Sequence, residues 1–218
     1  MANNNSSQLV HIPADSVILE GVLDVPHDAQ ALVIFAHGSG SSRHSKRNKY
    51  VAQVLCKVGL GTLLFDLLTK DEDIIYENRF DIPLLANRLT AATRWIKKQQ
   101  QTKDLKIGYF GASTGAAAAL IAASGPGPEI GAIVSRGGRP DLAEKALKHV
   151  KAPTLLIVGG DDYIVIQLNQ QAYNVIKAEK ELQIIPGASH LFEEPGTLEE
   201  VARLAAEWFR KHLLKKED

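Results

Sequence analysis

Gly111-Ala112-Ser113-Thr114-Gly115 stands between an apolar run and an alanine-rich segment. The run before it, residues 105–110, has the length and the aromatic and β-branched content of a buried strand. The segment after it, residues 114–123, is rich in alanine and predicts a helix packed closely against a sheet. The pentapeptide fits G-x-S-x-G, a sharp turn that lifts a serine hydroxyl above the end of a strand. Glycine is required on both sides because strand and helix nearly touch there and a Cβ would clash.

Strands and helices alternate on both sides of this turn. Strand-length apolar runs bounded by Gly, Pro, Asp or Asn occur at residues 9–12, 16–25, 31–35, 62–65, 105–110, 131–134, 154–158 and 182–185. Segments with helical spacing occur at residues 46–58, 82–99, 114–123, 142–150, 166–178 and 198–214. This alternation predicts an α/β fold with a mostly parallel central sheet and helices on both faces. The first two runs have no helix between them, so we expect them to form an antiparallel pair at the sheet edge.

Composition narrows the class of protein. The 218 residues suffice for a single domain spanning 1–218, with polar tails at residues 1–8 and 215–218 that we expect to be frayed. The chain has 25 Lys+Arg and 25 Asp+Glu, a balance that argues against nucleic acid or anionic membrane as a partner. The first residues lack a signal-peptide pattern, and no apolar stretch approaches 18 residues, so we expect a cytoplasmic protein. Cys56, the one cysteine, excludes an intramolecular disulfide and a structural zinc site of several thiolates.

The carboxyl ends of parallel strands meet at one edge of a sheet, where binding sites form. Ser113 follows one predicted strand, the pair Asp161-Asp162 follows another, and His190 follows a third. A serine hydroxyl needs a neighbouring base, and that base needs an acid to orient it. Of the seven histidines only His37 and His190 follow strands directly, and only His190 gives the chain order Ser, Asp, His of α/β-hydrolases. Either aspartate can supply the acid.

The sequence resembles a dienelactone-hydrolase-like member of the α/β-hydrolase superfamily from about residue 17 to 209, and four blocks carry this resemblance. The blocks are residues 35–40, 108–115, 155–162 and 187–192. The resemblance implies that Asp162, in the G-x-x-D-x-x-V pattern of residues 159–165, is the acid, with Asp161 as its competitor. The name-giving dienelactone hydrolases carry cysteine at the turn where this sequence has Ser113, which puts their substrate in doubt but not ester hydrolysis.

The resemblance also implies an oxyanion hole made by the backbone amides of Ser39 and Thr114, with His37 supporting the loop. For Thr114 there is an independent physical reason. It opens a helix, so its N–H has no partner within the helix and lies at the positive end of the helix dipole.

Substrate contacts are expected from four residues near the same edge: Gly38, Arg43, Tyr76 and Arg136. Residues 135–152 leave room for barely one helix, so we expect an open site without a large cap domain. Residues 66–81, which include Tyr76, are a candidate flap. Arg43, Arg47, Arg136 and Arg139 form a basic cluster that either holds a substrate carboxylate or phosphate or pairs with Asp66, Asp71 or Glu77.

The sequence predicts a hydrolase that cleaves a carboxylic ester or thioester of a small, short-chain substrate through an acyl-enzyme on Ser113. The resemblance implies no metal and no organic cofactor. Residues 38–43 begin like a dinucleotide fingerprint but end in arginine, which disfavours nucleotide binding. Two alternatives stay open: a binding or regulatory protein without turnover, and acyl transfer to an acceptor other than water. The sequence does not define the oligomeric state.

Overall fold

The computed structural model describes residues 7–214. Its centre is one eight-stranded sheet. The strands are β1 Gln8–Ala14, β2 Val17–Asp24, β3 Ala31–Ala36, β4 Gly61–Phe65, β5 Lys106–Ala112, β6 Ala132–Arg136, β7 Thr154–Gly159 and β8 Lys180–Ile185. Their order is β1-β2-β4-β3-β5-β6-β7-β8. Strands β3 to β8 pair parallel with one another. β1 pairs antiparallel with β2, and β2 antiparallel with β4, which confirms the expected antiparallel edge.

The helices follow the strands along the chain. They are α1 Lys46–Lys57, α2 Lys70–Ile74, α3 Ile82–Ile96, α4 Thr114–Ser124, α5 Glu144–Leu147, α6 Tyr163–Val175 and α7 Thr197–Leu213, with 3₁₀ turns at Tyr76–Phe80 and Pro140–Ala143. Between β6 and β7 only the second 3₁₀ turn and α5 are inserted, so among residues 7–214 no cap domain covers the carboxyl edge. None of the helices described combines the length and the apolar character needed to cross a membrane.

Alternate residues of β3 point to two separate cores. Leu32 and Ile34 face the core that holds α3 and α4, and Val33 and Phe35 face the core that holds α1 and α7. All four are at most 1% exposed, because a central strand covered by helices on both faces has no solvent side. This explains why β3 appears in the sequence as a continuous apolar run rather than an alternating one.

Helix α4 is buried almost all round, between the sheet and α3. Its residues Ala116–Ala119 are fully buried, which confirms the expectation of a helix packed closely against the sheet. The first turn of the helix comes so close to the strands that only glycine fits there. A Cβ on Gly115 would lie 2.2 Å from the Ala36 carbonyl oxygen, and a Cβ on Gly111 would lie 2.4 Å from Ala116 Cα.

Two parts of the fold differ from the sequence expectation. The segment after β4, which has no clear helical spacing, contains helix α2, and this helix begins with a capping box between Thr69 and Glu72. The expected frayed N-terminal tail extended to Gln8, but Gln8 is the first residue of β1. The remainder of the two expected tails lies outside the described residues, apart from Ser7.

Replacing Gly115 with alanine should lower the free energy of unfolding by about 3 kcal/mol or more, since the new methyl group meets backbone that cannot move aside. Helix propensity alone predicts the opposite sign, a gain of about 1 kcal/mol. Gly125→Ala is the matched control, because a Cβ there has nothing nearer than 3.8 Å. Urea unfolding of both variants checks this, and equal stability of the two would contradict the close approach.

Candidate active site

Ser113 lies on the strained turn between β5 and α4. Its backbone has φ 51° and ψ −120°, an arrangement that L-residues adopt only when the surrounding structure imposes it. Hydrogen bonds from both sides hold it there. The Ser113 N–H donates to the Arg136 carbonyl (3.2 Å), and the Ser113 carbonyl accepts from the amides of Ala116 (3.1 Å) and Arg139 (3.2 Å). The serine is therefore fixed by the end of β6 as well as by its own helix.

His190 and Asp162 are in direct contact. Nδ1 of His190 lies 2.6 Å from Oδ2 of Asp162, with the acid largely buried and the imidazole about one-third exposed. Asp161 does not reach the ring: its side chain is exposed, and its amide donates to the Ala188 carbonyl. A carboxylate at Nδ1 holds an imidazole with Nε2 free to accept a proton.

The loops that carry these two side chains pack backbone against backbone. A Cβ on Gly159, at the end of β7, would lie 2.3 Å from the Ala188 carbonyl oxygen, two residues before His190. The carboxylate of Glu194 accepts a hydrogen bond from the Ser189 amide (3.0 Å). Hydrogen bonding from the side chain of Ser189, and then from its backbone, lowers the pKa of Glu194. These contacts set the position of the imidazole relative to the acid.

Ser113 and His190 line one cleft at the carboxyl edge of the sheet, with a volume of about 210 Å³. In this resting arrangement, within the described chain, no hydrogen bond joins the Ser113 hydroxyl to the ring. Such bonds often tighten only when substrate is bound. The lining residues are Gly38, Ser39, Ser41, Ser45, Arg47, Asn48, Ala112, Ser113, Arg136, His190 and Leu191.

The two amides expected to form an oxyanion hole are linked through a side chain. The Ser39 N–H donates to Oγ1 of Thr114 at 2.9 Å. Thr114 is the first residue of α4, where a backbone N–H has no acceptor within the helix. The loop after β3 and the start of α4, the residue next to Ser113, are therefore connected by a hydrogen bond.

His37 is buried beneath the loop. Its Nε2 accepts a hydrogen bond from the Leu67 amide (3.0 Å), so its Nδ1 carries the proton and donates to the Gly38 carbonyl (3.0 Å). Burial is the largest influence on this ring and lowers the pKa of His37 below its usual value. The neutral ring ties the loop at Gly38 to the segment after β4.

Two of the expected substrate contacts do not line the cleft. Arg43 forms an ion pair with Asp66, one of the acids that the sequence offered as its partner, and a second ion pair with Glu20. Tyr76 is 63% exposed and packs against Phe80, with ring centroids 5.2 Å apart. The candidate flap at residues 66–81 contributes no lining residue. Long side chains at a sheet edge have several partners within reach, and sequence position does not decide among them.

Sequence reasoning anticipated Arg47 of α1 as part of the basic cluster but missed Ser45 and Asn48 beside it. Ser45 caps this helix by accepting from the Asn48 amide, and Arg47 and Asn48 follow in its first turn. All three line the cleft. A cap residue directly after the loop that follows β3 was the available signal, because it places the first helical turn at the carboxyl edge. Within residues 7–214 no group of three His, Cys, Asp or Glu side chains is arranged to hold a metal ion.

Replacing His37 with glutamine should lower the free energy of unfolding by about 1–3 kcal/mol at pH 8 and should also change its pH dependence. In the unfolded chain His37 takes up a proton as the pH falls below about 6.5, whereas the buried ring resists protonation. Wild type therefore loses stability on acidification below that pH, and the variant should lack this part of the loss.

Denaturant titrations between pH 8 and pH 5 measure the difference between the two proteins. The pKa of His212 is also lowered by burial, but this residue is present in both proteins and cancels in the difference. Parallel pH curves would contradict the role given to His37.

Comparison with known proteins identifies the family and the fold. The profile of the dienelactone hydrolase family matches residues 19–214. The crystal structure of a dienelactone hydrolase from Anabaena variabilis is 55% identical in sequence, covers 96% of this chain and 99% of its own, and superposes with a TM-score of 0.93. Est1E from Butyrivibrio proteoclasticus is 18% identical, covers 96% and 100% of the two chains, and has a TM-score of 0.82, which shows the shared fold.

A relative in Mycobacterium tuberculosis with the provisional name phosphoribosyl transferase is 57% identical over 204 residues. The match covers 94% of this chain and 46% of the relative, so this chain spans less than half of that protein's length. The family match and the Anabaena structure confirm the predicted α/β-hydrolase fold without a large cap domain. The chain belongs to the dienelactone hydrolase family.

Proposed function

We propose that this protein is a serine hydrolase that cleaves a carboxylic ester or thioester of a small substrate. The observation that carries the proposal is the contact between Asp162 and His190, whose ring lines the same cleft as Ser113 on its strained turn. Family membership supports hydrolase chemistry in general, and the geometry supports the particular residues. The two kinds of support are independent, because the hydrogen bonds do not depend on any relative.

The proposed reaction has two acyl-transfer steps. Ser113 attacks the substrate carbonyl as Nε2 of His190 takes its proton, and Asp162 stabilises the imidazolium that forms. The amides of Ser39 and Thr114 donate to the oxyanion, and donors of this kind each contribute about 3 kcal/mol in other hydrolases. The leaving alcohol or thiol takes the proton from His190. Water, deprotonated by the same base, then releases the acid from Ser113.

The transferase named in mycobacteria is more than twice as long as the part that matches here. We assign ester hydrolysis, and not phosphoribosyl transfer, to the matching part, because the hydrolase profile extends over residues 19–214. Consumption of phosphoribosyl diphosphate by the purified chain would contradict this assignment.

Replacing Ser113 with alanine should abolish labelling by a serine-directed phosphonate, since the proposal gives the reactive hydroxyl to this residue alone. Hydrolysis of a short acyl ester should fall in parallel. Asp162→Asn should lower kcat on the order of 10³- to 10⁴-fold, because an amide favours the wrong tautomer of the ring. Mass spectrometry of the labelled protein and steady-state kinetics measure these effects.

Asp161→Asn is the matched control, since it makes the same change one residue earlier on a side chain that does not meet His190. Its kcat should stay within a few-fold of wild type.

Labelling that persists in Ser113→Ala would move the nucleophile elsewhere. Wild type that neither reacts with the phosphonate nor hydrolyses any ester would favour a binding protein. Ester consumption that requires an acceptor other than water would favour acyl transfer.

Short acyl chains should be hydrolysed faster than long ones. The cleft of about 210 Å³ is smaller than the roughly 300–1,000 Å³ of sites that enclose drug-sized ligands. We expect kcat/KM for 4-nitrophenyl butyrate to exceed that for the palmitate by about 10-fold or more, because a long chain cannot be enclosed. Faster turnover of the palmitate, measured below its aggregation limit, would rule out the small-substrate assignment.

A further inference from the structure

The cleft contains a cation that the proposed mechanism does not use. Arg136, the last residue of β6, lines the cleft beside Ser113 and is only 7% exposed. Within the described chain no carboxylate lies within 4.0 Å of its guanidinium, and its buried Nε has no hydrogen-bond partner. A buried charge without a counterion is costly, so its presence at a reactive centre requires a reason.

The other buried arginine shows what an ordinary arrangement looks like in this fold. Arg88, which is 5% exposed, donates to the carboxylate of Glu72 (2.8 Å) and to the Ala14 carbonyl. Its Nε also has no partner, so what separates it from Arg136 is the counterion. Arg139, three residues after Arg136, pairs with Asp141. Arg136 differs from both because, within residues 7–214, no carboxylate pairs with it.

The surroundings of Arg136 leave it charged. Burial lowers the pKa of Arg136 to about 10, and the nearby charge of Arg47 acts in the same direction, so the side chain still carries its proton at neutral pH. The ring of Phe192, with its centroid 5.8 Å from the guanidinium carbon, offsets part of the lost hydration. Arg47 lines the same cleft and pairs with Glu193, a residue whose side chain is 64% exposed. Two arginines therefore line the cleft, and the one acid paired with them, Glu193, lies outside its lining.

We propose that Arg136, assisted by Arg47, binds an anionic group, a carboxylate or phosphate, on the substrate that Ser113 attacks. The inference rests on the proposed hydrolase function and specifies its substrate class. A guanidinium binds such groups through paired, charge-assisted hydrogen bonds, which would supply the missing counterion. Arg136 lies opposite Ala112 in the sheet register, beside the turn that carries Ser113. The anion and the scissile carbonyl are therefore separated by only a short chain.

Monoethyl succinate and its neutral isostere, ethyl 4-methylpentanoate, test this assignment in wild type. We expect kcat/KM for the charged ester to be about 10-fold higher or more, with the difference mainly in KM. In Arg136→Gln the preference should disappear, and in Arg136→Lys it should be partly kept. Arg139→Gln is the matched control and should keep the full preference, because Arg139 is already paired with Asp141.

A second measurement does not depend on the folding of any Arg136 variant. Succinate and inorganic phosphate should each compete with the neutral ester in wild type, and the stronger inhibitor identifies the preferred anion. Calorimetry of succinate binding to Ser113→Ala measures the subsite without turnover. No anion preference and no competition, with hydrolysis intact, would overturn the subsite and leave the hydrolase. Anion binding that depends on Arg136, with hydrolysis unaffected by Ser113→Ala, would overturn the hydrolase mechanism and leave the subsite.

Discussion

The arrangement of the site depends on the distance between the start of α4 and the strands beneath it. The helix approaches β3 and β5 so closely that any side chain larger than hydrogen at residues 111 or 115 would collide with backbone. This approach forces Ser113 into its positive φ, and the positive φ raises its hydroxyl above the sheet. It also brings the N-terminus of the helix beside the loop after β3. Strain in one residue and the position of two backbone amides thus have a single origin.

The other two members of the proposed triad are positioned by backbone rather than by side-chain packing. β7 ends in a turn that touches the loop after β8, and this contact sets the separation between Asp162 and His190. Because the three loops follow β5, β7 and β8 of one parallel array, with only β6 between the first two, their separation follows from strand spacing. The triad therefore depends on the sheet as a whole, and large changes on the outer helix faces need not disturb it.

A feature could be predicted from the sequence when the residues that create it are close together in the chain, and could not when distant residues create it. Strands and helices were predictable because burial on both faces leaves long apolar runs and helical spacing in the sequence. The elbow was predictable because its glycines and serine are adjacent in the chain. The destination of Arg43 was not, since a flexible cation near several acids is placed by tertiary packing, here against Asp66 and Glu20. Ser45 and Asn48 were missed for a similar reason, because a cap residue shows where α1 begins but not how close its first turn comes to Ser113.

The bond between the Ser39 amide and the Thr114 hydroxyl affects how the cleft distinguishes ligands. In the resting protein this donor is already satisfied by a neutral oxygen. A ground-state carbonyl that displaces the hydroxyl exchanges one neutral acceptor for another and gains little. An oxyanion exchanges a neutral acceptor for a charged one and gains considerably more. Under the proposed mechanism Thr114 thus acts as an internal competitor that weakens substrate binding more than transition-state binding, so that the amide contributes to the rate rather than to the affinity.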